Sequence, residues 1–226
     1  MSDGRRLAGL LAVVVAFVVS CASSAPPQVL EQTTRFDRVH ELPDAETDGQ
    51  VSLEESLATR RSEREFPDTG VPAADLGQLL WAGQGITDEQ GHRTAPSAGA
   101  RYPIELYVIT ADEVGHYRPD EHVLETRADA RVLPALADLA FGQDFVSNAP
   151  LVIAIVADPA RTEVEYGSVA EALVDRESGH VAQNILLQAT ALGLASVPVG
   201  GFDPAALAEL LALPPGQDVR YLIPVG

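Results

Sequence analysis

Leu151-Val152-Ile153-Ala154-Ile155-Val156-Ala157 is an unbroken apolar run, rich in β-branched residues and free of charge. A run this short and this continuous predicts a strand covered on both faces. Ile104–Thr110 (IELYVIT) reads the same way. Working outward, His116–Tyr117 and Val123–Leu124 flank Pro119-Asp120-Glu121, which predicts a hairpin. Ala195–Val199 and Arg220–Val225 are further short strands. Between them lie helical stretches. Ser52-Leu53-Glu54-Glu55 has the pattern of a capping box and starts a helix running to about Arg60. Leu76, Leu79 and Leu80 share one face of a helix over Asp75–Ala82, with Pro72 near its first turn and Gly83 and Gly85 at its end. Val132–Phe141 is helical. Glu171–Leu192 is the longest helical stretch, expected as two helices or as one broken near Gly179. Thr87–Ala100 is a Gly-, Ser- and Pro-containing loop. Strands and helices are interspersed, so the fold class is α+β or α/β with a central sheet.

Composition narrows the function classes. The chain has 226 residues, with 33 Asp+Glu against 15 Lys+Arg and a net charge of −18; every basic residue is Arg. Nucleic acid is thereby excluded as the main partner, because a phosphate backbone needs basic patches. Lysine chemistry is excluded outright. One Cys rules out a disulfide framework within the chain and a cysteine-based zinc cluster. The histidines, at 40, 92, 116, 122 and 180, are scattered. Gly83-x-Gly85 follows a helix and not a strand, which fails the context of a dinucleotide-binding turn, and no G-x-S-x-G elbow occurs.

The N-terminus reads as an address. Arg5 and Arg6 precede the apolar or small run Leu7–Val19, then Ser20 and Cys21. A basic start, an apolar middle and small residues at the cut describe a signal peptide over 1–20. Val18-Val19-Ser20-Cys21 resembles a bacterial lipobox, which implies lipidation of Cys21 and anchoring on the extracytoplasmic side of the cell membrane. The alternative is an uncleaved N-terminal anchor. Residues 21–50 are read as a tether, with an arm packed on the domain as the alternative, and 51–226 as the domain.

Three segments carry chemistry. Thr59-Arg60-Arg61-Ser62-Glu63-Arg64-Glu65-Phe66 places three arginines and two hydroxyls at a helix end. Fork-shaped donors beside a hydroxyl suit a phosphate; the plain alternative is arginine complementing a helix C-terminus. Arg93 to Pro103 (RTAPSAGARYP) is a small-residue loop able to lie against a planar ligand, or a plain surface turn. Gly193 to Phe202 (GLASVPVGGF) joins the long helix to a strand and exposes two glycines, or merely stops the helix at Gly193.

R-R-S-x-R-x-F, P-S-A-G-A-x-Y-P-x-E-x-Y, G-H-x-A-Q-N and A-L-G-L-x-x-V-P-V-G, in this order from about Ser52 to Gly226, together resemble the nitroreductase superfamily, in particular its SagB-type dehydrogenase branch. The resemblance implies an α+β sandwich with a central, mostly antiparallel sheet flanked by helices, a homodimer, and FMN at the dimer interface. It implies that Arg60 and Ser62 hold the FMN phosphate and ribityl chain and that Arg64 lies near flavin N1 and O2. Pro96, Ser97, Ala98 and Gly99 match the loop that reaches the ring from the partner subunit. Pro198, Val199, Gly200 and Gly201 match the segment whose backbone faces N5 and O4, and Gln143 is a further flavin contact. Glu177, His180, Gln183 and Asn184 are read mainly as polar residues of a dimer core. Tyr166 is the candidate proton donor. Azoline-oxidising members carry Lys-Tyr where this chain has Glu165-Tyr166, which argues against that peptide oxidation. The implied activity is hydride transfer through flavin to or from a small-molecule or peptide substrate. The competing readings are a flavin-fold lipoprotein that binds without turnover and an envelope lipoprotein without a cofactor.

Overall fold

The structure is a computed structural model and describes residues 36–67 and 69–226. Signal peptide, Cys21 and the first part of the expected tether lie outside the described residues.

Among the described residues six strands form one sheet: β1 (Arg38–Glu41), β2 (Ile104–Thr110), β3 (Glu113–Arg118), β4 (Val123–Ala128), β5 (Leu151–Ala157) and β6 (Asp218–Val225). Their order is β1-β4-β3-β2-β5-β6 and every neighbouring pair is antiparallel. The two apolar runs are the central pair, with Ile104 opposite Ala157 and Thr110 opposite Leu151. Seven α-helices among the described residues surround the sheet: α1 (Leu53–Thr59), α2 (Ala73–Gln84), α3 (Val132–Leu139), α4 (Asp144–Asn148), α5 (Ala160–Tyr166), α6 (Ala170–Ala191) and α7 (Pro204–Leu210).

The pleat sorts the core into two layers. Leu151, Ile153 and Ile155 of β5 join Ile104, Leu106 and Val108 of β2 against Leu79 and Leu80 of α2 and Val181 and Ile185 of α6. Val152, Ala154 and Val156 join Tyr107 and Ile109 against Leu136 of α3, Val146 of α4 and Leu207 of α7. Both faces of β2 and β5 are therefore covered, at about 1.5–3 kcal/mol for each large buried side chain. The result is an α+β sandwich.

Four expectations are corrected. Residues 36–50 are not a free tether: β1 pairs with β4, Arg38 opposite Thr126, and Glu46 exchanges hydrogen bonds with the Gln78 side chain of α2. The arm reading holds for this part. The long helix is unbroken at Gly179, because the buried stripe Val174, Val181 and Ile185 outweighs the ~1 kcal/mol that one glycine costs a helix. Helix α3 stops at Leu139, two residues short of Phe141. There the N–H groups of Phe141 and Gly142 turn back to Asp138 and Ala137 (3.1 and 2.9 Å), closing a Schellman end with Phe141 at φ +58°. Ala195–Val199 is a broken rail rather than a strand. It bridges to β6 at Ser196 and Val199, and Pro198 between them has no N–H to give.

Candidate functional site

The first cluster forms where α1 ends. Ser52 caps the helix by accepting from the Glu55 N–H (3.1 Å), and the Arg60 N–H closes it on Ser56 O (2.9 Å). The chain then continues as a strap without regular structure, held where the Glu63 N–H donates to Ser196 O (3.0 Å) and where Phe66 packs on the second core layer. Arg61 donates to the carbonyls of Ala58 and Arg60 (3.1 and 2.7 Å), so this arginine fills the helix-end role. Arg60 and Arg64 do not. Among the described residues neither has a carboxylate partner, a state shared with Arg61, Arg93 and Arg176, whereas Arg38, Arg101, Arg118, Arg127, Arg131, Arg161 and Arg220 all have one. The Arg64 guanidinium lies 5.4 Å from the centre of the Phe145 ring on α4. Arg60, Ser62 and Arg64 are two residues apart, the spacing at which an extended segment presents side chains to one side.

The rail beside β6 brings Pro198–Gly201 to the same region. Gln143, the residue before α4, donates from Nε2 to Gly201 O (3.0 Å) and Ala140 O (2.8 Å). Its amide thus positions the glycine segment. A Cβ at Gly200 would come no closer than 3.6 Å to Tyr221, and one at Gly201 no closer than 3.8 Å to Gln143. Neither residue has a positive φ. Internal packing therefore does not demand glycine at either position, and bare backbone here suits the close approach of a ligand.

The second cluster is the loop from Arg93 to Tyr102. Gly99, Ala100 and Tyr102 have φ of +57°, +52° and +46°, a run of left-handed residues that persists only when surroundings fix it. They are fixed. The Tyr102 N–H donates to Ser97 Oγ (2.8 Å), Arg161 to Tyr102 O (3.0 Å), and the Arg93 N–H to the Tyr102 hydroxyl (3.3 Å). The Arg93 guanidinium stacks 4.6 Å above the Tyr102 ring and donates to Gln84 Oε1 (2.6 Å). Asn184 of α6 donates to Thr94 O (3.2 Å).

Glu165 and Tyr166, at the end of α5, lie against Gly99. A Cβ there would sit 2.8 Å from Glu165 Oε2 and 2.9 Å from the Tyr166 hydroxyl. Glu165 also pairs with Arg101 at 2.7 Å. Gly99→Ala is expected to destabilise the fold by about 1–3 kcal/mol in urea titrations, combining left-handed strain with displacement of both side chains. Gly179→Ala, in open space on α6, is the control and is expected to be neutral or stabilising by up to ~1 kcal/mol.

Beneath the loop lies Glu177 of α6, 3% exposed. Burial pushes its carboxyl up to about 7; the Ser97 hydroxyl and then the Arg93 guanidinium pull it down only in part. Its helical spacing from Val174 and Val181 places an acid on an apolar stripe, a signal present in the sequence but read above as a dimer-core position. Asn184 is engaged as described; His180 and Gln183 are exposed. The pairing of Arg101 with Glu165 was not foreseen.

Arg60, Ser62, Arg64, Gln143 and Pro198–Gly201 are thus assembled in one region, and Pro96–Gly99 with Tyr166 in another. Among the described residues no hydrogen bond or ion pair joins the two clusters. A cavity of about 510 Å³ opens between α1, α2 and α6, lined by Leu53, Trp81 and Leu187, and meets the second cluster at Thr94 and Asn184. No described helix is long and apolar enough to cross a membrane.

Known proteins share this fold. The sequence profile of the Nitroreductase family matches residues 57–226. A presumed nitroreductase of Methanocaldococcus jannaschii is 40% identical over 192 residues, covering 82% of this chain and 94% of that protein. Among solved structures, a presumed nitroreductase from Ralstonia eutropha superposes with a TM-score of 0.75 at 31% identity, over 84% of this chain and 89% of that one. The NADPH:FMN oxidoreductase of Vibrio harveyi, solved with NAD+, superposes with a TM-score of 0.60 at 22% identity, over 77% of this chain and 67% of that one, a likeness of fold.

Proposed function

The chain belongs to the nitroreductase family, and on that premise we propose that it is an FMN-dependent oxidoreductase of the SagB-type dehydrogenase branch. The observation that carries the reading is the position of Arg60 and Arg64 on the strap that the Glu63 N–H ties to the Ser196–Gly201 rail, both without carboxylate partners among the described residues of a chain of net charge −18. Charges kept unpaired amid such an excess of acid suit a phosphate and an electron-rich ring. The residues present fit the cofactor. Arg60 and Ser62 would hold the phosphate and ribityl chain, Arg64 the pyrimidine edge of the ring, and Gly200 and Gly201 would let backbone approach its face. Gln143 positions that backbone through Gly201 O.

FMN bound there supplies two-electron transfer through N5 between a reduced donor and an acceptor. Pro96–Gly99, with Tyr166 behind Gly99, would close the site from the second subunit of a homodimer, which accounts for two clusters that no hydrogen bond or ion pair joins among the described residues. Tyr166 would stand at that wall as one candidate proton donor. Small-molecule or peptide substrates enter between the two walls. Azoline oxidation is not part of the reading, because Glu165 stands at the lysine position and is bound to Arg101. The leader and Cys21 add a membrane-anchored, extracytoplasmic location to the proposal.

Protein purified from membranes is expected to carry a flavin absorbance band and to release FMN, identified by mass, on denaturation. A colourless protein that takes up no added FMN sinks the reading. The Arg101–Glu165 pair over Gly99 favours a second reading, a flavin-binding module without turnover. Stopped-flow mixing with NAD(P)H, a dithiol and a quinol separates the two, since a bound flavin that none of them reduces favours the module.

A further inference from the structure

We propose that Glu177 is the proton store of this site, held inside the fold and exchanging its proton with the site surface through the Ser97 hydroxyl. The proposal rests on the reading of Pro96–Gly99 as a wall of the FMN site. It begins from a polar atom without a partner among the described residues: Glu177 is 3% exposed and its Oε1 has no hydrogen bond there. A buried carboxylate in that state is costly, and the neutral acid much less so. Nearby, Gln84, 1% exposed, spends Oε1 on Arg93 and leaves Nε2 unpartnered. Polar groups around Arg93 are thus left incompletely satisfied, where stability alone would favour apolar side chains or a closed network.

Arg93 is the charged group that acts on the Glu177 carboxyl. The other charges on elements packed against α6 are committed or remote. Glu105 and Arg161 bind each other, and Glu105 also binds His116. Glu165 binds Arg101, and Arg220 binds Glu171, Asp175 and Asp218. Glu54 and Glu55 are in the first turn of α1 and Asp75 in that of α2, while Glu163 on α5 and Arg176 and His180 on α6 are exposed. Burial therefore decides, and the store is filled in mild acid, half filled near neutrality and emptied in mild alkali.

The route outward is one hydroxyl. Ser97 Oγ accepts from the Tyr102 N–H (2.8 Å), which leaves it one lone pair and one proton. Neutral Glu177 donates its O–H to that lone pair as Ser97 passes its own proton to the acceptor. The path supplies one proton to an acceptor, the balance that a two-electron, one-proton delivery by bound FMN would leave wanting. Ser97 ends unchanged, and Glu177 ends as a carboxylate that solvent re-protonates before the next turnover. The left-handed turn at Gly99, Ala100 and Tyr102 holds Ser97 through the Tyr102 N–H, and the Ser97 hydroxyl acts on the Glu177 carboxyl.

The test uses the purified holoprotein, with glutamate labelled at the carboxyl carbon, and the variants Glu177→Gln and Ser97→Ala. One carboxyl resonance, absent from Glu177→Gln, is expected to titrate near pH 7 and to move upward in Ser97→Ala. Photoreduced protein mixed with menadione is expected to re-oxidise about tenfold more slowly at pH 8 than at pH 6, as the protonated fraction falls. In Glu177→Gln the rate should be low and vary less than about twofold over that range. Ser97→Ala should keep the titration and lose the pH dependence of the rate. A carboxyl titrating in the ordinary range of 4 to 5, or a Glu177→Gln profile that follows wild type, overturns the proposal and leaves the FMN reading standing. A protein that binds no FMN overturns both.

Discussion

Replacing Arg60 and Arg64 together with alanine is expected to weaken FMN binding by about a hundredfold or more, while the apo-protein keeps its stability to within about 1 kcal/mol. Each charge-assisted hydrogen bond to an anion is worth about 1.5–3 kcal/mol, and 1.4 kcal/mol is a factor of ten. The fold loses little because neither arginine has a carboxylate to leave behind. Arg64 lies over the Phe145 ring, a contact worth about 0.5–1 kcal/mol at an exposed site. Arg220 supplies the contrast: its guanidinium holds Glu171, Asp175 and Asp218, so Arg220→Ala is expected to lower stability. Titrating apo-protein with FMN and following the quenching of flavin fluorescence, alongside urea melts, reads both quantities. Wild-type affinity in the double variant removes the strap from the site.

Glu177→Gln is expected to become progressively more stable than wild type as the pH rises. The carboxyl stands at an ordinary 4.5 in the unfolded chain and at about 7 in the folded one. Below the lower value both states hold the proton and the group is neutral toward stability. Between the two values the unfolded chain releases a proton that the folded chain keeps, so wild-type stability falls with pH. Above the upper value the loss is complete. The glutamine has no such term. The gap between variant and wild type should therefore widen by on the order of 2 kcal/mol between about pH 4 and pH 8, the full shift being reduced by solvent screening at the loop side. Denaturant titrations at several pH values measure it, and parallel curves for the two proteins would contradict it.

What the sequence could show depended on how much of each signal was local. Leu151–Ala157 and Ile104–Thr110 are strands at the expected residues because continuous β-branched runs leave no other way to bury both faces. Ser52 caps α1, and Gly193 ends α6 with φ +73°, because caps are read from one or two residues. Strand β1 was missed because Arg-Val-His-Glu is charged and wholly exposed, and only its partner β4 makes it a strand. Helix α7 was missed despite a local signal: Asp203 accepts from the N–H groups of Ala205 and Ala206, with Pro204 in the first turn. The site divides in the same way. The arginine strap and the glycine pair were visible as composition. The ion pair of Arg101 with Glu165, 64 residues apart, and the burial of Glu177 under a loop some 80 residues upstream exist only once the chain is folded.

The alternation along β5 makes the sheet a partition between two workshops. Odd-numbered side chains brace the helix that carries the acid, and even-numbered ones brace the elements that hold the glutamine and the glycine pair. Adjacent residues on a single strand thus back opposite rooms. Trimming Ile153 should loosen the layer under α6, and trimming Val152 the layer under α3, α4 and α7, so a change in one chamber need not be felt in the other.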